Sequence, residues 1–392
     1  MSDGGAADRR RLCIVATVPF AINVFMRAHI GMLKVDYDVT VVTSGSSRDL
    51  GGILSGRVSF IPLRIERKIS PWRDVLTLIR LWHVFRREKF DSVHSIMPKS
   101  GLLSMLAARL AGVPLRFHTF TGQVWANKKG PRRSLLKCLD KVLVMNATRV
   151  IADSHSQRLF LINNHVAKPS EIVVLAEGSV AGVDLTRFAY RAEIRSQIRA
   201  QHSIPSGAIV FVFLGRLNRD KGLMNLARAF KAAAGRNTSI HLLIVGPDED
   251  RLEVEFAELA QVVTGRVHRV GFTESPESYL SASDVICLPS YREGFGAVII
   301  EAAAVGLPAI ASRIYGITDA VEDGVTGILH QPTSDREIAD AMVCLASNEK
   351  LRRQMGDAAR ARVTATWSEA RVTKALADFY RDMFATVGAT AR

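Results

Sequence analysis

Cysteine is scarce and scattered in this sequence. Cys13, Cys138, Cys287 and Cys344 are the only four, and no two of them form a CxxC or a Cys/His cluster. That spacing argues against a structural zinc site or a disulfide framework, and the expectation is reduced core thiols in a cytoplasmic protein. Long apolar runs are missing too: none reaches the roughly 18 uncharged apolar residues that a spanning helix needs. Zinc-finger, RNP-type and basic-helix signatures are also absent, so no nucleic-acid motif accompanies the net charge of +14.

What is present is a globular composition, 48% hydrophobic and 23% charged, on a chain of 392 residues that is too long for one ordinary core. The start imitates a leader, with Arg9, Arg10 and Arg11 before LCIVATVPFAINVFM. Pro19 and Asn23 interrupt that run, and a first buried strand explains RLCIVATV as well. The positive charge is localised: residues 1–187 hold 28 Lys and Arg against 14 Asp and Glu, and the remainder is balanced. Two stretches put cations beside apolar residues. PWRDVLTLIRLWHVFRREKF (71–90) carries Trp72, Leu76, Ile79, Trp82, Val84 and Phe85 among five cations, and NKKGPRRSLLKCLDKVLVM carries Lys128, Lys129, Arg132, Arg133 and Lys137. Basic amphipathic segments with interfacial Trp suit an anionic membrane surface, although a surface helix facing its own core reads the same way.

Short β-branched runs alternate with helical periodicity, which predicts parallel, doubly wound sheets. The first set runs to TRVIAD, and a second starts at IVFVFLG. Between them the rhythm slackens in a Gly-, Ser- and Ala-rich region. The expected division is a first Rossmann-like domain over 1–185, a linker over 186–208, a second over 209–365, and a last helix within 366–392 that ends the chain or crosses back. Ligands of such sheets bind beyond the carboxyl ends of the strands, so the default site is a cleft between two domains facing each other.

The strand ends carry the candidates. After IVFVFLG, which ends in Gly215, come Arg216 and Lys221, two cations ahead of a helix and suited to an anion. After DVICLPS come Glu293, Gly294, Phe295 and Gly296, then a helix holding Glu301 in its second turn. The glycines allow a ligand to approach the backbone, and a carboxylate at Glu301 can accept both hydroxyls of a vicinal diol. A salt bridge to a nearby Arg would explain Glu301 equally. Phe272 and Thr273, in the VGFTES loop, are candidates for meeting a flat base. In the first half His118 sits near a strand end in RFHTFTG. Two DxD-like triplets, Asp36-Tyr37-Asp38 and Asp248-Glu249-Asp250, read as turn and cap residues, so no metal ligand is expected.

Taken together, FLGRLNRDKG, GFTES, YLSASDVICLPSYREGFGAVIIEAAAVGLPAIAS and EDGVTGIL resemble the retaining, two-domain GT-B glycosyltransferases of group 1, also called family 4. HSIMPKSGLLSMLAARLAGVPLRFHTFTG is similar to members that act on lipid-linked acceptors in bacterial polysaccharide or glycan synthesis. The resemblance implies that Arg216 and Lys221 hold the donor diphosphate, Glu301 the ribose, and Glu293 with the Gly294–Gly296 backbone the transferred sugar. His118 would stand beside that sugar. It also implies a nucleotide-sugar donor, most consistently a UDP-N-acetylhexosamine, a lipid-linked saccharide acceptor, no cofactor, no nucleic acid, and a peripheral position on the inner face of the cytoplasmic membrane. Many members carry a Gly-Gly loop after the first strand; TVPFAINVF stands there in this chain. A nucleotide-sugar 2-epimerase of the same fold, or a non-catalytic basic binding protein, are the competing readings.

Overall fold

The computed structural model describes residues 9–390 apart from 68, 261, 262 and 264, so the outermost residues of the expected terminal segments lie outside the described residues. The chain forms two units, residues 1–181 with 369–392, and residues 182–368.

The first unit runs β1 (Arg11–Val15), α1 (Pro19–Ala21), α2 (Arg27–Leu33), β2 (Asp38–Thr43), β3 (Val58–Pro62), α3 (Pro71–Glu88), β4 (Ser92–Ile96), α4 (Pro98–Leu110), β5 (Leu115–Phe120), α5 (Gly130–Asn146), β6 (Arg149–Ala152), α6 (His155–Asn163) and β7 (Ile172–Val174). Among the described residues the second unit runs α7 (Ala192–Gln201), β8 (Ile209–Leu214), α8 (Leu223–Arg236), β9 (Ile240–Val245), α9 (Glu253–Ala260), β10 (Val267–Val270), α10 (Pro276–Ser281), β11 (Val285–Leu288), α11 (Ala297–Val305), β12 (Ala309–Ser312), α12 (Ile317–Ala320), β13 (Gly327–His330), α13 (Asp335–Ser347) and α14 (Glu349–Thr366). The last helix, α15 (Glu369–Thr390), belongs to the first unit.

Both sheets are parallel, in the orders β3-β2-β1-β4-β5-β6-β7 and β10-β9-β8-β11-β12-β13. A parallel sheet is covered on both faces, so its central strands read as unbroken buried runs. β4 (SVHSI) and β9 (IHLLIV) are buried at every position. Strand order reverses between β1 and β4 and between β8 and β11, and the crevice beyond the carboxyl ends at such a point is where open α/β sheets take ligands.

In the first unit, one face of the sheet is closed by α3, α4, α5 and α6 around Leu81, Phe85, Met105, Leu143 and Leu161. The other is closed by α2 and α15 around Ile30, Leu33, Phe117, Leu376 and Tyr380. The Tyr380 hydroxyl lies 2.7 Å from Nδ1 of His94, whose Nε2 is 2.8 Å from Thr119 Oγ1. The buried imidazole thus ties α15 to two strands while staying neutral, its pKa pushed down to about 3 by burial. Among the described residues no helix is long and apolar enough to cross a membrane.

Three details differ from the sequence reading. β7 and β13 were not expected, being only three and four residues long. The 186–208 segment read as linker contains α7 and belongs to the second unit. There Arg195 and Arg199 of α7 both grip Asp284, each at 2.7 Å, and Asp284 also accepts from the Val210 amide. Helical periodicity over 22–34 predicts one helix there, and the structure has a π-helical turn at Ile22–Met26 followed by α2, with the short α1 just ahead of them.

The second unit also contains an imidazole pair. Nδ1 of His241 and Nε2 of His268 are 2.9 Å apart, an N–H donated from one ring to the other's lone pair. Burial first, then the neighbouring His241 and His202, pushes His268 down to about 4. A His lowered from its usual value resists protonation when folded, so stability falls as pH drops below about 6.5 and levels off near 4. Urea midpoints measured at neutral and mildly acid pH should therefore diverge less in His268→Gln than in the parent chain; equal divergence would remove the pair as a cause.

Candidate functional site

The β8 and β11 loops are locked to each other by backbone contact. Gly222, at φ +70°, stands where a Cβ would lie 2.0 Å from the Pro289 carbonyl oxygen, so a side chain here would push the loops apart. The Tyr291 amide donates to the Asp220 carbonyl at 2.8 Å, and Arg292 pairs with Asp220 at 3.2 Å. The β12 loop joins at Gly316, at φ +84°, where a Cβ would be 2.4 Å from the Gly294 carbonyl oxygen. Gly215, Arg216, Lys221, Glu293, Gly294 and Gly296 are thereby gathered at the switch point of one sheet.

Within that site the charged side chains hold each other. Lys221 Nζ lies 2.5 Å from Glu293 Oε1, which also accepts from Ser290 Oγ at 2.8 Å, and both members of the ion pair are largely covered. Arg216 is half-exposed and paired with Glu249 at 2.8 Å. The sequence placed both cations at an anion and left out these carboxylate partners. The Lys221–Glu293 pair joins positions 72 apart in sequence. Its signal becomes visible only once the Gly222–Pro289 contact is known.

α11 starts from Gly296 at φ +80°, directly after the loop that carries Glu293, so the positive end of its dipole lies at that loop. Glu301 lies in its second turn. Burial pushes the carboxyl up to about 7, against the attraction of Arg187 and together with the repulsion of Glu277. A salt bridge does not account for it: the Arg187 guanidinium is committed to Glu277 at 3.0 Å and to the Glu274 carbonyl at 2.7 Å. Among the described residues Glu301 has no hydrogen-bonding or ion-pair partner. An ionisable group held like this is a ligand-binding candidate.

One candidate is narrowed and another is displaced. Phe295 stands in the Gly294–Gly296 segment whose backbone is the candidate donor contact; its ring is 4% exposed and packs edge-on against Trp367 at 5.4 Å, so the backbone is the part it can offer. His118 was expected beside a sugar at a strand end. It is wholly buried within β5, with Nδ1 2.9 Å from Ser95 Oγ and its ring filling the space that Gly101 leaves, where a Cβ would be 2.4 Å from His118 Cε1. Burial and the nearby His94 push its pKa down to about 3. Side-chain alternation along β5 turns this ring beneath α4, and the sequence does not show which way a central-strand residue points.

Phe272 is 63% exposed on the loop after β10, and Thr273 Oγ1 beside it accepts from the Ser275 amide. Of the DxD-like triplet at 248–250, Asp248 accepts from the Leu252 and Glu253 amides and Asp250 from the Arg219 amide, which makes both cap residues. In the first unit Lys99 pairs with Asp74 at 2.6 Å. The segment in place of the Gly-Gly loop leaves Phe20 58% exposed.

Comparison with known proteins places these observations in a family. The profile described as "Glycosyl transferases group 1" matches residues 194–362, and that described as "Glycosyl transferase 4-like domain" matches residues 31–178. The chain is 31% identical, over 86% of its length and 84% of the relative's, to a D-inositol 3-phosphate glycosyltransferase of Arthrobacter sp. (strain FB24). It is 29% identical to the capsular polysaccharide biosynthesis glycosyltransferase CapM of Staphylococcus aureus, over 91% of this chain and 93% of that one. It is also 29% identical to the UDP-Gal:alpha-D-GlcNAc-diphosphoundecaprenol alpha-1,3-galactosyltransferase of Escherichia coli, over 84% of each. Among solved structures, Anabaena Alr3699/HepE in complex with UDP and glucose superposes with a TM-score of 0.79 at 16% identity, covering 95% of this chain and 100% of that one. The two sheets are the two Rossmann-like domains of the GT-B fold. The chain belongs to the group 1 glycosyltransferases.

Proposed function

We propose that this chain moves a sugar from a nucleoside diphosphate donor, of the UDP-N-acetylhexosamine type, to a lipid-linked saccharide acceptor, with retention of anomeric configuration and without a metal ion. The observation that carries the reading is the partnerless Glu301 carboxyl in the second turn of α11, the helix that follows directly on the loop where Lys221 meets Glu293, a sequence of groups complementary to a ribose followed by a diphosphate. The diphosphate would draw Arg216 and Lys221 from their carboxylate partners. Glu293, released from Lys221, then accepts hydroxyls of the sugar. As the glycosidic C–O bond breaks, negative charge grows on the leaving phosphate, and Arg216, Lys221 and the α11 amides stabilise it. The acceptor hydroxyl attacks from the same face and passes its proton to that phosphate; the wholly buried His118 takes no part.

The lipid-linked acceptor is supported by the diphosphoundecaprenol in the name of the Escherichia coli relative and by the surplus of cations in residues 1–187, which suits an anionic membrane surface. That surface would be the inner face of the cytoplasmic membrane. A screen of nucleotide sugars by thermal shift tests the donor, because a ligand bound only by the folded state raises stability by mass action. We expect a UDP-sugar to raise Tm by several degrees at concentrations well above Kd. No shift with any nucleotide sugar would favour a non-catalytic binding protein. Donor consumption with no acceptor present, and a donor isomer as product, would indicate an epimerase instead.

A further inference from the structure

Helix α3 has two apolar faces, and only one is used by the fold. Leu81 and Phe85 are buried in the core of the first unit, with Leu78, Trp82 and Val84 packed against it. The opposite stripe is open: Trp72 is 77% exposed, and Val75, Leu76 and Ile79 are between 41% and 48% exposed, with Ile69 just before the helix at 69%. Spacings of three and four put these four helical residues on one side of the first two turns. Exposed Arg80 and Arg86 flank and continue the stripe, and neither has an ion pair among the described residues.

Topology sets where this stripe lies. A crossover helix in a parallel sheet runs back from the carboxyl edge, so α3 and α5 both begin at that edge, with α4 between them on the same face of the sheet. Lys128, Lys129 and Arg132, at the start of α5, likewise have no ion pair among the described residues. An apolar stripe bordered by unpaired cations at one edge complements an anionic bilayer. A second copy of the chain suits it poorly, because an isologous contact would set cations against cations.

We propose that the N-terminal half of α3 is an apolar wedge that enters the interface of an anionic bilayer, with Trp72 at the headgroup level and the carboxyl edge of the first unit held against the lipid. This rests on the membrane reading above and assigns it to an element. The Lys128–Arg132 segment supplies salt-sensitive attraction, and the wedge supplies a component that survives high salt.

The test uses the full chain and vesicles of phosphatidylglycerol with phosphatidylethanolamine, sedimented at low and high salt. The triple variant Trp72→Ser/Leu76→Ser/Ile79→Ser should bind about tenfold more weakly or worse at both salts, whereas Lys128→Gln/Lys129→Gln/Arg132→Gln should lose binding at low salt only. Donor thermal shift in each variant reports that the fold is kept. In the unsubstituted chain, brominated lipid should quench tryptophan emission, and Trp72→Phe should abolish that quenching, a readout independent of the triple variant's folding. If the triple variant binds normally, or quenching is absent while vesicles still bind, the wedge is overturned and the membrane reading stands. No vesicle binding by the unsubstituted chain overturns both. A concentration-dependent dimer that the triple variant abolishes would make this stripe a protein interface and overturn the wedge.

Discussion

Lys221→Met is expected to lower kcat for glycosyl transfer by about 10²–10³-fold, the loss typical when one donor to a developing oxyanion is removed. Lys221 is nearly as buried as its partner, and the ammonium is held in place by Glu293 and by a turn whose amide is capped by Asn218 Oδ1. Met keeps most of the stem and its packing, so the change removes the charge alone. It also strands the Glu293 carboxylate, which would weaken the fold by itself. Glu293→Gln in the same background removes that second effect. The double variant should recover the parent Tm within a few degrees and keep at least the whole loss in kcat, because the charge facing the leaving phosphate is still missing and the Glu293 contact to the sugar is weakened as well. Recovery of both quantities together would mean that Lys221 acts only on the fold.

Much of this architecture could be read from the sequence because its central strands are buried on both faces. Runs such as IVFVFL and IHLLIV are short and rich in β-branched or aromatic residues, which favours a strand covered on both faces over a buried helix, and in IVFVFLGR the Gly and cation just after the run follow the strand end. What could not be read depends on contacts far apart in the chain. Phe295 lies between two candidate glycines, yet Trp367 claims its ring. His118 is near enough to a strand end to suggest chemistry, and it is the absent side chain of Gly101 that gives it a buried berth. The apolar residues of α3 were all visible in sequence. Their separation into a buried stripe and an open one requires knowing which turn of the helix meets the core. Glu301 was legible as an anomaly, a carboxylate in AVIIEAAAV; the sequence left open whether an Arg neutralises it, and the Arg187–Glu277 pair answers that.

Glu301→Gln should make the chain more stable and a poorer binder of its donor. The Glu301 carboxyl is raised from the usual range near 4.5 to about 7, chiefly by burial. For an acid shifted upward, the folded state favours the protonated form, so ionisation works against folding at pH above about 7 and that cost fades as pH falls toward 4.5. An amide carries no charge to desolvate. The variant should therefore melt several degrees higher than the parent at pH 8, with the difference shrinking at pH 5. Donor binding runs the other way. Accepting both hydroxyls of a diol requires the carboxylate, so parent affinity should fall up to about tenfold per unit as pH drops below about 7, while Glu301→Gln should bind weakly with a flat profile. Titrations of donor affinity from pH 5 to 8 with both proteins, beside melting curves in the same buffers, separate the two effects. A parent profile as flat as the variant's would show that Glu301 does not hold the ribose, whatever the melting curves report.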